Sequence, residues 1–504
     1  MRLRHPPTKL RTTVQTSAMF SPRIIRARPT TVFRAASVPT RARTFSATPA
    51  WRLRTVDMRE SDFKALKVHR DRLMGDIHDT AKFGIGQRWG ARETETGMAR
   101  LTLTDADKQV RDWFVSTTES LGCTVTVDEM GNIFAVRAGQ SQGAAPIYAG
   151  SHLDTQPAAG RYDGILGIMA GIEMLRVLQE NEIETAHPVG VVNWTNEEGA
   201  RFPVTMLSSG VWAGAISTER AHGLLEVGPN GASLKSELER IGYLGKVPAS
   251  HLSMPMAAHF ELHIEQGPIL EANNQKIGIV QGVQAYKWYT IEVQGRGAHT
   301  GTTPYVARSD ALLAAAKMIV QSNLVSARLG ALASTGILQL EPGSTNTIPD
   351  RVRFSLDVRA PSDATVETVE AQLREDFEFI SKGQGPDGYA EPAAASLPVS
   401  VKWTTDSHSP AVHFHNDCID MVRKSAEAVL GDPSLCRGMT SGAGHDSVYT
   451  SRRCPTSMIF VPSRNGVSHH PEEWTSPEDC ALGAEVLCQS ILRYDQYVNQ
   501  RSRA

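Results

Sequence analysis

Four short apolar runs in the sequence share one feature: a histidine or a carboxylate follows each of them, directly or after a polar loop. Runs of this length, with apolar residues at consecutive positions, predict strands that are buried on both faces, as in a parallel sheet. In open α/β sheets, ligands bind at the carboxyl ends of the strands. The pattern therefore predicts one site built from the ends of four strands, at Pro146–Gly150, Val189–Trp194, His259–Leu262 and Ser457–Val461.

Residues 277–400 show a different pattern of predicted secondary structure. Strand-like and helix-like segments follow one another there in the order βαββαβ, which is the split pattern of a ferredoxin-like domain. Because the fourth apolar run lies beyond this segment, the second domain interrupts the first. The predicted elements are Tyr286–Val293, Arg308–Leu324, Gly336–Leu340, Val352–Val358, Ala364–Ile380 and Val399–Trp403.

The sequence before the first apolar run predicts two helices, at Met58–Ile85 and at Asp105–Leu121, the second started by the capping residues Thr104 and Asp105. The fold class is therefore α/β, with more than one domain in 504 residues. We expect a leader at residues 1–56, a larger domain in two parts at 57–276 and 401–504, and the inserted domain at 277–400.

Charge is distributed very unevenly. Residues 1–56 contain eleven arginines, one lysine and no acidic residue. This composition predicts a mitochondrial transit peptide, the alternative being a disordered basic tail. Without these twelve residues the chain has 40 basic and 54 acidic residues, which argues against a nucleic-acid partner. Apolar runs long enough to span a membrane are absent from the sequence.

The residues that follow the apolar runs suit a pair of divalent metal ions. His152 and Asp154 form an H-x-D step in which the aspartate is expected to accept the second N–H of the imidazole. Glu197 and Glu198 are adjacent carboxylates, an arrangement that is costly unless cations lie nearby. Taken singly these residues have ordinary alternatives, namely a hydrogen-bonded structural histidine and a solvated acidic turn. The same applies to Asp163, which the sequence alone would favour as a helix N-cap, and to His263 and His469. The six cysteines form no C-x-x-C pair and indicate neither a disulfide framework nor a thiolate metal site.

Eight motifs occur in order and make the sequence recognisable. Together they resemble the amidohydrolase branch of the aminoacylase/carboxypeptidase-G superfamily. This branch contains N-carbamoyl-L-amino-acid hydrolases, allantoate amidohydrolases and yeast-type β-alanine synthases, and the closing segment of the chain looks closest to the last. The motifs begin at Gly150 (GSHLDT), Gly160 (GRYDG), Asn196 (NEEGARF), Leu262 (LHIEQG), Gly297 (GAHTGTTP), Ser344 (STNTIP), Ser441 (SGAGHD) and Gly466 (GVSH).

The resemblance implies a two-zinc, aminopeptidase-like catalytic domain with an inserted lid and dimerisation domain. It assigns one zinc ion to His152 and His263 and the other to Glu198 and His469, with Asp163 bridging them. Manganese or cobalt would suit the same ligand types. Peptidase relatives carry a carboxylate at the place of His263, so this histidine favours the amidohydrolase branch.

The same resemblance implies roles for residues that do not bind metal. Glu197 would be the general base and Asp154 the partner that orients a metal-binding histidine. His299 would stabilise the oxyanion, reaching into the active site of the partner subunit in a homodimer. Asn346 and Arg359 would bind the substrate, with Arg359 pairing the substrate carboxylate.

Three further residues, Gln266, Gly444 and His445, are expected to line the substrate pocket. The implied reaction is hydrolysis of N-carbamoyl-β-alanine, or of N-carbamoyl-L-amino acids, to the free amino acid, ammonia and carbon dioxide. An allantoate amidohydrolase and a catalytically inactive binding protein of the same fold are the alternatives. An exopeptidase or aminoacylase is less favoured. The leader predicts the mitochondrial matrix, with the cytoplasm as the alternative.

Overall fold

The computed structural model describes residues 53–141, 143–228, 231–384 and 397–503. The predicted leader therefore lies almost entirely outside the described residues. Its last residues do not: Leu53–Arg54 pairs in parallel with Ile183–Glu184, and the buried Thr55 donates a hydrogen bond to Asp495. The folded body thus begins by residue 53, slightly earlier than the predicted boundary at residue 56. In the described part of the chain, no helix is long and apolar enough to cross a membrane.

The strands of the described residues are β1 (Leu53–Arg54), β2 (Ile85–Arg88), β3 (Thr96–Met98), β4 (Thr124–Val127), β5 (Ile133–Arg137), β6 (Ile147–His152), β7 (Ile183–Glu184), β8 (Val189–Trp194), β9 (Ala258–Ile264), β10 (Ile277–Val283), β11 (Ala285–Gln294), β12 (Ala298–His299), β13 (Leu332–Ser334), β14 (Leu338–Glu341), β15 (Thr347–Ile348), β16 (Arg351–Ala360), β17 (Ser400–Ser409), β18 (Val412–His413), β19 (Cys436–Ser441) and β20 (Thr456–Val461).

The α-helices of the same residues are α1 (Glu60–Ala65), α2 (Arg70–Thr80), α3 (Asp105–Ser120), α4 (Ile165–Glu180), α5 (Leu207–Trp212), α6 (Thr218–His222), α7 (Leu234–Ile241), α8 (Ile269–Ala272), α9 (Ala311–Arg328), α10 (Asp363–Ser381), α11 (Asn416–Leu430), α12 (Ser447–Thr450) and α13 (Pro477–Arg503).

A large mixed sheet forms the body of the molecule, in the strand order β18-β10-β20-β9-β6-β8-β5-β4, with β19 also pairing β10. The four strands predicted from the apolar runs (β6, β8, β9 and β20) are neighbours and mutually parallel. Helices α4 and α13 pack on one face of the sheet. An aromatic cluster with Trp194 and Trp212 covers the other face. Because both faces are covered, these strands are apolar at consecutive positions.

A second, smaller sheet has the order β13-β16-β11-β17, with β14 also pairing β16. Helices α9 and α10 cover one of its faces and enclose a separate hydrophobic core. Along β16, Val352, Phe354, Leu356 and Val358 are buried. The strand period of two therefore turns Arg359 to the opposite, open face. The α/β fold class with an inserted βαββαβ unit is confirmed, with β13 as an additional short strand.

The structure differs from the sequence prediction in three further places. Strand β10 belongs to the large sheet, where it pairs β20, whereas we placed residues from 277 in the inserted domain. Strand β17 continues the small sheet to Ser409, past the predicted boundary at residue 400. The predicted helix Met58–Ile85 is two helices, α1 and α2, because Leu66 takes an extended conformation and ends the first of them.

Candidate metal centre and substrate pocket

The carboxyl ends of the four central strands bring the predicted metal ligands together. His152 ends β6, His263 lies near the end of β9, and Glu198 follows β8. Asp163 comes from the loop before α4, and His469 from the loop after β20. All except His469 are buried, and the side chain of His469 is 49% exposed.

Asp163 lies between two groups of potential ligands. Its Oδ1 is 3.0 Å from Nε2 of His263 and 3.7 Å from Nε2 of His152. Its Oδ2 is 3.5 Å from Nε2 of His469, which in turn is 3.4 Å from Oε2 of Glu198. The ligand atoms of each group lie within 4.8 Å of one another. One carboxylate thus faces both groups, one oxygen to each, as a bridging ligand does.

The imidazole rings are oriented by main-chain carbonyl oxygens. Nδ1 of His152 donates to the carbonyl of Asp154 at 2.9 Å, and Nδ1 of His263 donates to the carbonyl of Ile264 at 2.8 Å. A carbonyl oxygen only accepts, so each Nδ1 carries a hydrogen, and Nε2 is the nitrogen that faces the centre and would bind a metal ion.

Asp154 acts differently from the prediction. We expected its carboxylate to accept the second N–H of His152, but its main-chain carbonyl does so. The carboxylate oxygens instead accept from the main-chain N–H groups of Glu197 and Glu198, at 3.4 and 3.3 Å. The carboxylate is thus occupied by these two N–H groups, and the main-chain carbonyl accepts from the ring. Burial raises the pKa of Asp154 to about 7.

The buried carboxylates repel one another. Burial, then Asp446 and Glu198, raise the pKa of Glu197 well above its ordinary value. Burial and Asp163 do the same for Glu198. Burial also opposes ionisation of Asp163, but the adjacent His263, His152 and His469 outweigh it and lower its pKa.

The donor set fits divalent metal ions. Oε1 of Glu198 is buried and has no hydrogen-bond partner within the described residues. The carboxylates of Glu198 and Asp163 repel one another, and a cation bound between them would remove this repulsion. Imidazole nitrogens and carboxylate oxygens are ligands that zinc, manganese and cobalt accept. Glu197 lies beside both groups without belonging to either, with Oε2 3.6 Å from Nε2 of His152.

Asp163 precedes a glycine that allows the ligand loop to pack closely on His152. A Cβ at Gly164 would lie 2.3 Å from Cε1 of the His152 ring, and φ at this glycine is +68°. Gly164 is also the N-cap of α4, so Asp163 is not the capping residue that its position in the sequence would favour.

A cavity of about 160 Å³ opens over the metal-binding groups. The larger domain and the small sheet both contribute to its wall. The predicted pocket residues Gln266, Arg359, Gly444 and His445 are among those that line it. Sequence reasoning missed the other lining residues, Gln156, Thr205, Met206, Tyr286, Trp288 and Ala443.

Arg359 reaches this cavity because cross-strand pairing fixes its position. It lies directly opposite Tyr286, and Asp357 lies opposite Trp288, on the open face of the small sheet. The guanidinium of Arg359 is 5.4 Å from the centroid of the Tyr286 ring and donates to Asp357 (Nη2 to Oδ2, 2.9 Å) and, through Nη1, to the carbonyl of Gly442 at 3.0 Å. These contacts hold a planar cation over the wall of the pocket.

Three predicted site residues lie elsewhere or play another part. His299 and Asn346 are exposed on the β12–β15 ribbon, where N–H of Thr300 donates to the carbonyl of Asn346 at 3.0 Å, and they do not line the cavity. His445 is buried, with Nε2 3.0 Å from Oγ of Ser441 and its ring 4.5 Å from that of His263. His445 therefore supports a metal-binding ring as well as lining the pocket.

Known proteins resemble the chain over most of its length. The family model described as peptidase family M20/M25/M40 matches residues 148–493. An N-carbamoyl-L-amino-acid amidohydrolase of Rhizobium meliloti is 38% identical over 86% of this chain and 98% of that protein. A ureidoglycolate hydrolase of Oryza sativa is 32% identical over 84% of this chain and 85% of its own length. A solved hydantoinase/carbamoylase-family amidase of Burkholderia multivorans superposes with a TM-score of 0.76 at 40% identity, covering 86% of this chain and 99% of that one.

Proposed function

The chain belongs to peptidase family M20/M25/M40, and from this premise we propose that it is a metal-dependent amidohydrolase that removes the carbamoyl group from N-carbamoyl amino acids. One observation carries the proposal: the two histidine–carboxylate groups and the Arg359 guanidinium border a single cavity. The metal-binding groups suit hydrolysis of an amide, and the guanidinium suits a carboxylate. An N-carbamoyl amino acid carries both of these functional groups.

Two zinc ions are the proposed cofactors, and manganese or cobalt would suit the same ligands. His152, Asp163 and His263 would hold one ion, and Asp163, Glu198 and His469 the other. When bound, such ions polarise a carbonyl oxygen and make water more acidic. A ureido carbonyl is a poor electrophile because two nitrogens donate electrons into it, so this polarisation suits the substrate.

Glu197 is the proposed general base. Its carboxylate borders the cavity and the metal-binding groups without belonging to either group. From this position Oε2 would take a proton from the attacking water and pass it to the leaving nitrogen. Arg359 would hold the substrate carboxylate at the far wall. The products would be the free amino acid, ammonia and carbon dioxide.

We expect the zinc-loaded full-length protein to release ammonia from N-carbamoyl substrates, and Glu197→Gln to reduce kcat by about 10²–10⁴-fold, because glutamine cannot take the proton. The matched control is Glu472→Gln, which changes an exposed glutamate. Wild-type activity in Glu197→Gln would contradict the role of the base. Failure of the metal-loaded protein on every ureido substrate would contradict the proposed reaction.

The substrate class includes N-carbamoyl-β-alanine, which the sequence favours, and N-carbamoyl-L-α-amino acids, which the name of the Rhizobium relative supports. A second candidate is a ureido acid of the ureidoglycolate or allantoate type, supported by the rice relative. Each of these three kinds of substrate releases ammonia, so a single assay measures kcat/KM for all of them. The substrate with the highest kcat/KM identifies the reaction.

We also propose a homodimer in which His299 completes the site of the partner subunit. The exposure of His299 and Asn346 away from the cavity of their own chain supports this. The test mixes inactive His299→Ala and Glu197→Gln proteins under conditions that allow subunit exchange. A mixed dimer contains one site with both residues intact, so about a quarter of wild-type activity should return. If no activity returned although exchange was verified, each site would be complete in one chain.

The mitochondrial matrix is the proposed location, with the cytoplasm as the alternative. The basic, acid-free composition of residues 1–56 supports it. A fluorescent protein carrying residues 1–52 should accumulate in mitochondria. A matched version with its arginines replaced by glutamine should not, and import of both would show that the charge is irrelevant.

A further inference from the structure

Glu473 lies beneath the loop that carries Asp163, and both oxygens of the Glu473 carboxylate accept hydrogen bonds. The residue is 2% exposed. Oε1 accepts from the main-chain N–H groups of Tyr162 and Asp163, at 3.0 Å each, and Oε2 is 3.0 Å from the hydroxyl oxygen of Ser468. The carboxylate thus holds the main chain of the loop that carries the bridging ligand, although Glu473 belongs to neither metal-binding group.

Ser468 extends this network to a second ligand loop. Its hydroxyl donates to Oδ2 of Asp163 at 2.9 Å, and Nε2 of Gln266 donates to the same carboxylate oxygen at 2.7 Å. Ser468 directly precedes His469 in the chain. The side chain of His469 is half exposed, so burial does little to fix its position. Glu473 and Ser468 therefore connect the loops that carry Asp163 and His469.

The packing around Glu473 is close. A Cβ at Gly160 would lie 2.3 Å from Cβ and 2.4 Å from Oε1 of Glu473. The Gly160–Gly164 loop therefore rests directly on this side chain. Removing the carboxylate would leave two buried N–H groups without an acceptor, and the loop would have to shift to satisfy them.

We propose that Glu473 is a positioning residue that sets the separation of Asp163 and His469, and thereby the metal affinity of the Asp163–Glu198–His469 group. The inference rests on the proposed function only in assuming two metal ions per chain. The His152–Asp163–His263 group depends less on Glu473, because main-chain carbonyls orient both of its histidines.

The experiment compares Glu473→Ala and Glu473→Gln with Glu472→Ala, which removes the exposed neighbouring glutamate. Metal content is measured after dialysis against a graded metal buffer, and the absorption spectrum is recorded after cobalt substitution. We expect Glu473→Ala to bind the ion of the Asp163–Glu198–His469 group about 10–100-fold less tightly. It should retain one ion per chain and have an altered cobalt spectrum.

Glu473→Gln should bind metal nearly as the wild type does. Its Oε1 can still accept both main-chain N–H groups, and its Nε2 can donate to the Ser468 hydroxyl. Normal metal binding in Glu473→Gln would show that the hydrogen bonds of residue 473, and not its negative charge, are what the site requires. Ser468→Ala removes the hydroxyl that connects Glu473 and Asp163 with the loop of His469. It should also weaken metal binding at the Asp163–Glu198–His469 group, and it tests the proposal even if Glu473→Ala fails to fold.

Two ions bound with the affinity of the Glu472→Ala control in both Glu473→Ala and Ser468→Ala would overturn the proposal. Equal loss of metal in Glu473→Gln and Glu473→Ala would overturn it as well. Neither readout requires turnover. A wild type that binds two ions but hydrolyses no carbamoyl substrate would therefore refute the proposed reaction and leave the role of Glu473 standing.

Discussion

Four residues around the metal-binding groups have a left-handed backbone that residues other than glycine seldom adopt. The φ angles are 58° at Asn196, 50° at Met206, 57° at Gln266 and 52° at His469. Each such conformation costs about 1–3 kcal/mol and persists only where surrounding contacts hold it. At Gln266, for example, the main-chain N–H donates to Oγ of Ser463 at 3.1 Å. The loops that carry the site are therefore held in shape by their contacts.

The contacts of Arg359 lead to a prediction about substrate binding. Arg359→Lys should raise KM by about 10–100-fold and change kcat less, because lysine cannot make the two-pronged contact with a carboxylate. The measurement is steady-state kinetics on the preferred N-carbamoyl amino acid. The control is Arg374→Lys, whose ion pair with Glu370 on α10 lies outside the cavity. An unchanged KM would show that Arg359 does not bind the substrate.

The predicted ligands come together, but two features of the site lay beyond the sequence. The role of Asp154 depends on whether its carbonyl or its carboxylate is nearer the imidazole, a matter of a few ångströms that sequence spacing cannot resolve. Glu473 meets Tyr162 and Asp163 across more than 300 residues of chain. Without a motif in the sequence to mark it, only the folded structure reveals this contact.

At the scale of elements, short and mainly apolar runs predicted the four central strands well, because strands buried on both faces have little freedom in composition. Strand β10 has the same apolar character, and the sequence does not reveal that it pairs with β20, far along the chain. The split between α1 and α2 was missed because helical spacing of apolar residues continues across the extended Leu66.

The exposed edge of the small sheet suggests where the proposed dimer forms. Leu332, Ile337 and Leu338 are all at least half exposed, on or beside strands β13 and β14. Leu338→Asp should raise the dimer dissociation constant by about 10-fold or more, because a buried charge at an interface is costly. Activity should fall with it, since His299 would come from the partner.

Light scattering over a dilution series measures this effect. Leu252→Asp is the matched control, because Leu252 is equally apolar and 80% exposed but lies outside the small sheet. A dimer that survives in Leu338→Asp, or one that dissociates in the control, would exclude this edge as the interface.

For the whole molecule, the concentration of buried carboxylates predicts that metal stabilises the fold. Chelation should lower the Tm, and zinc at about 100 times its Kd should restore about 2.7 kcal/mol of stability. Differential scanning calorimetry with and without zinc tests this. Asp163→Asn should lose most of the response, because Asp163 faces both metal-binding groups. A Tm that is independent of metal in the wild type would contradict the prediction.

The position of β20 has a consequence for how the protein is made. Strands β9 and β10 follow one another in the chain, yet in the sheet β20 lies between them, parallel to β9 and antiparallel to β10. While the ribosome is still translating, the emerging polypeptide therefore holds two strands with unpaired apolar edges and a gap between them. Only after Val461 has been synthesised can the gap close, and His469 follows later still. Until then we expect the nascent chain to expose apolar strand edges that chaperones can bind, and to lack catalytic activity because a metal-binding histidine is missing.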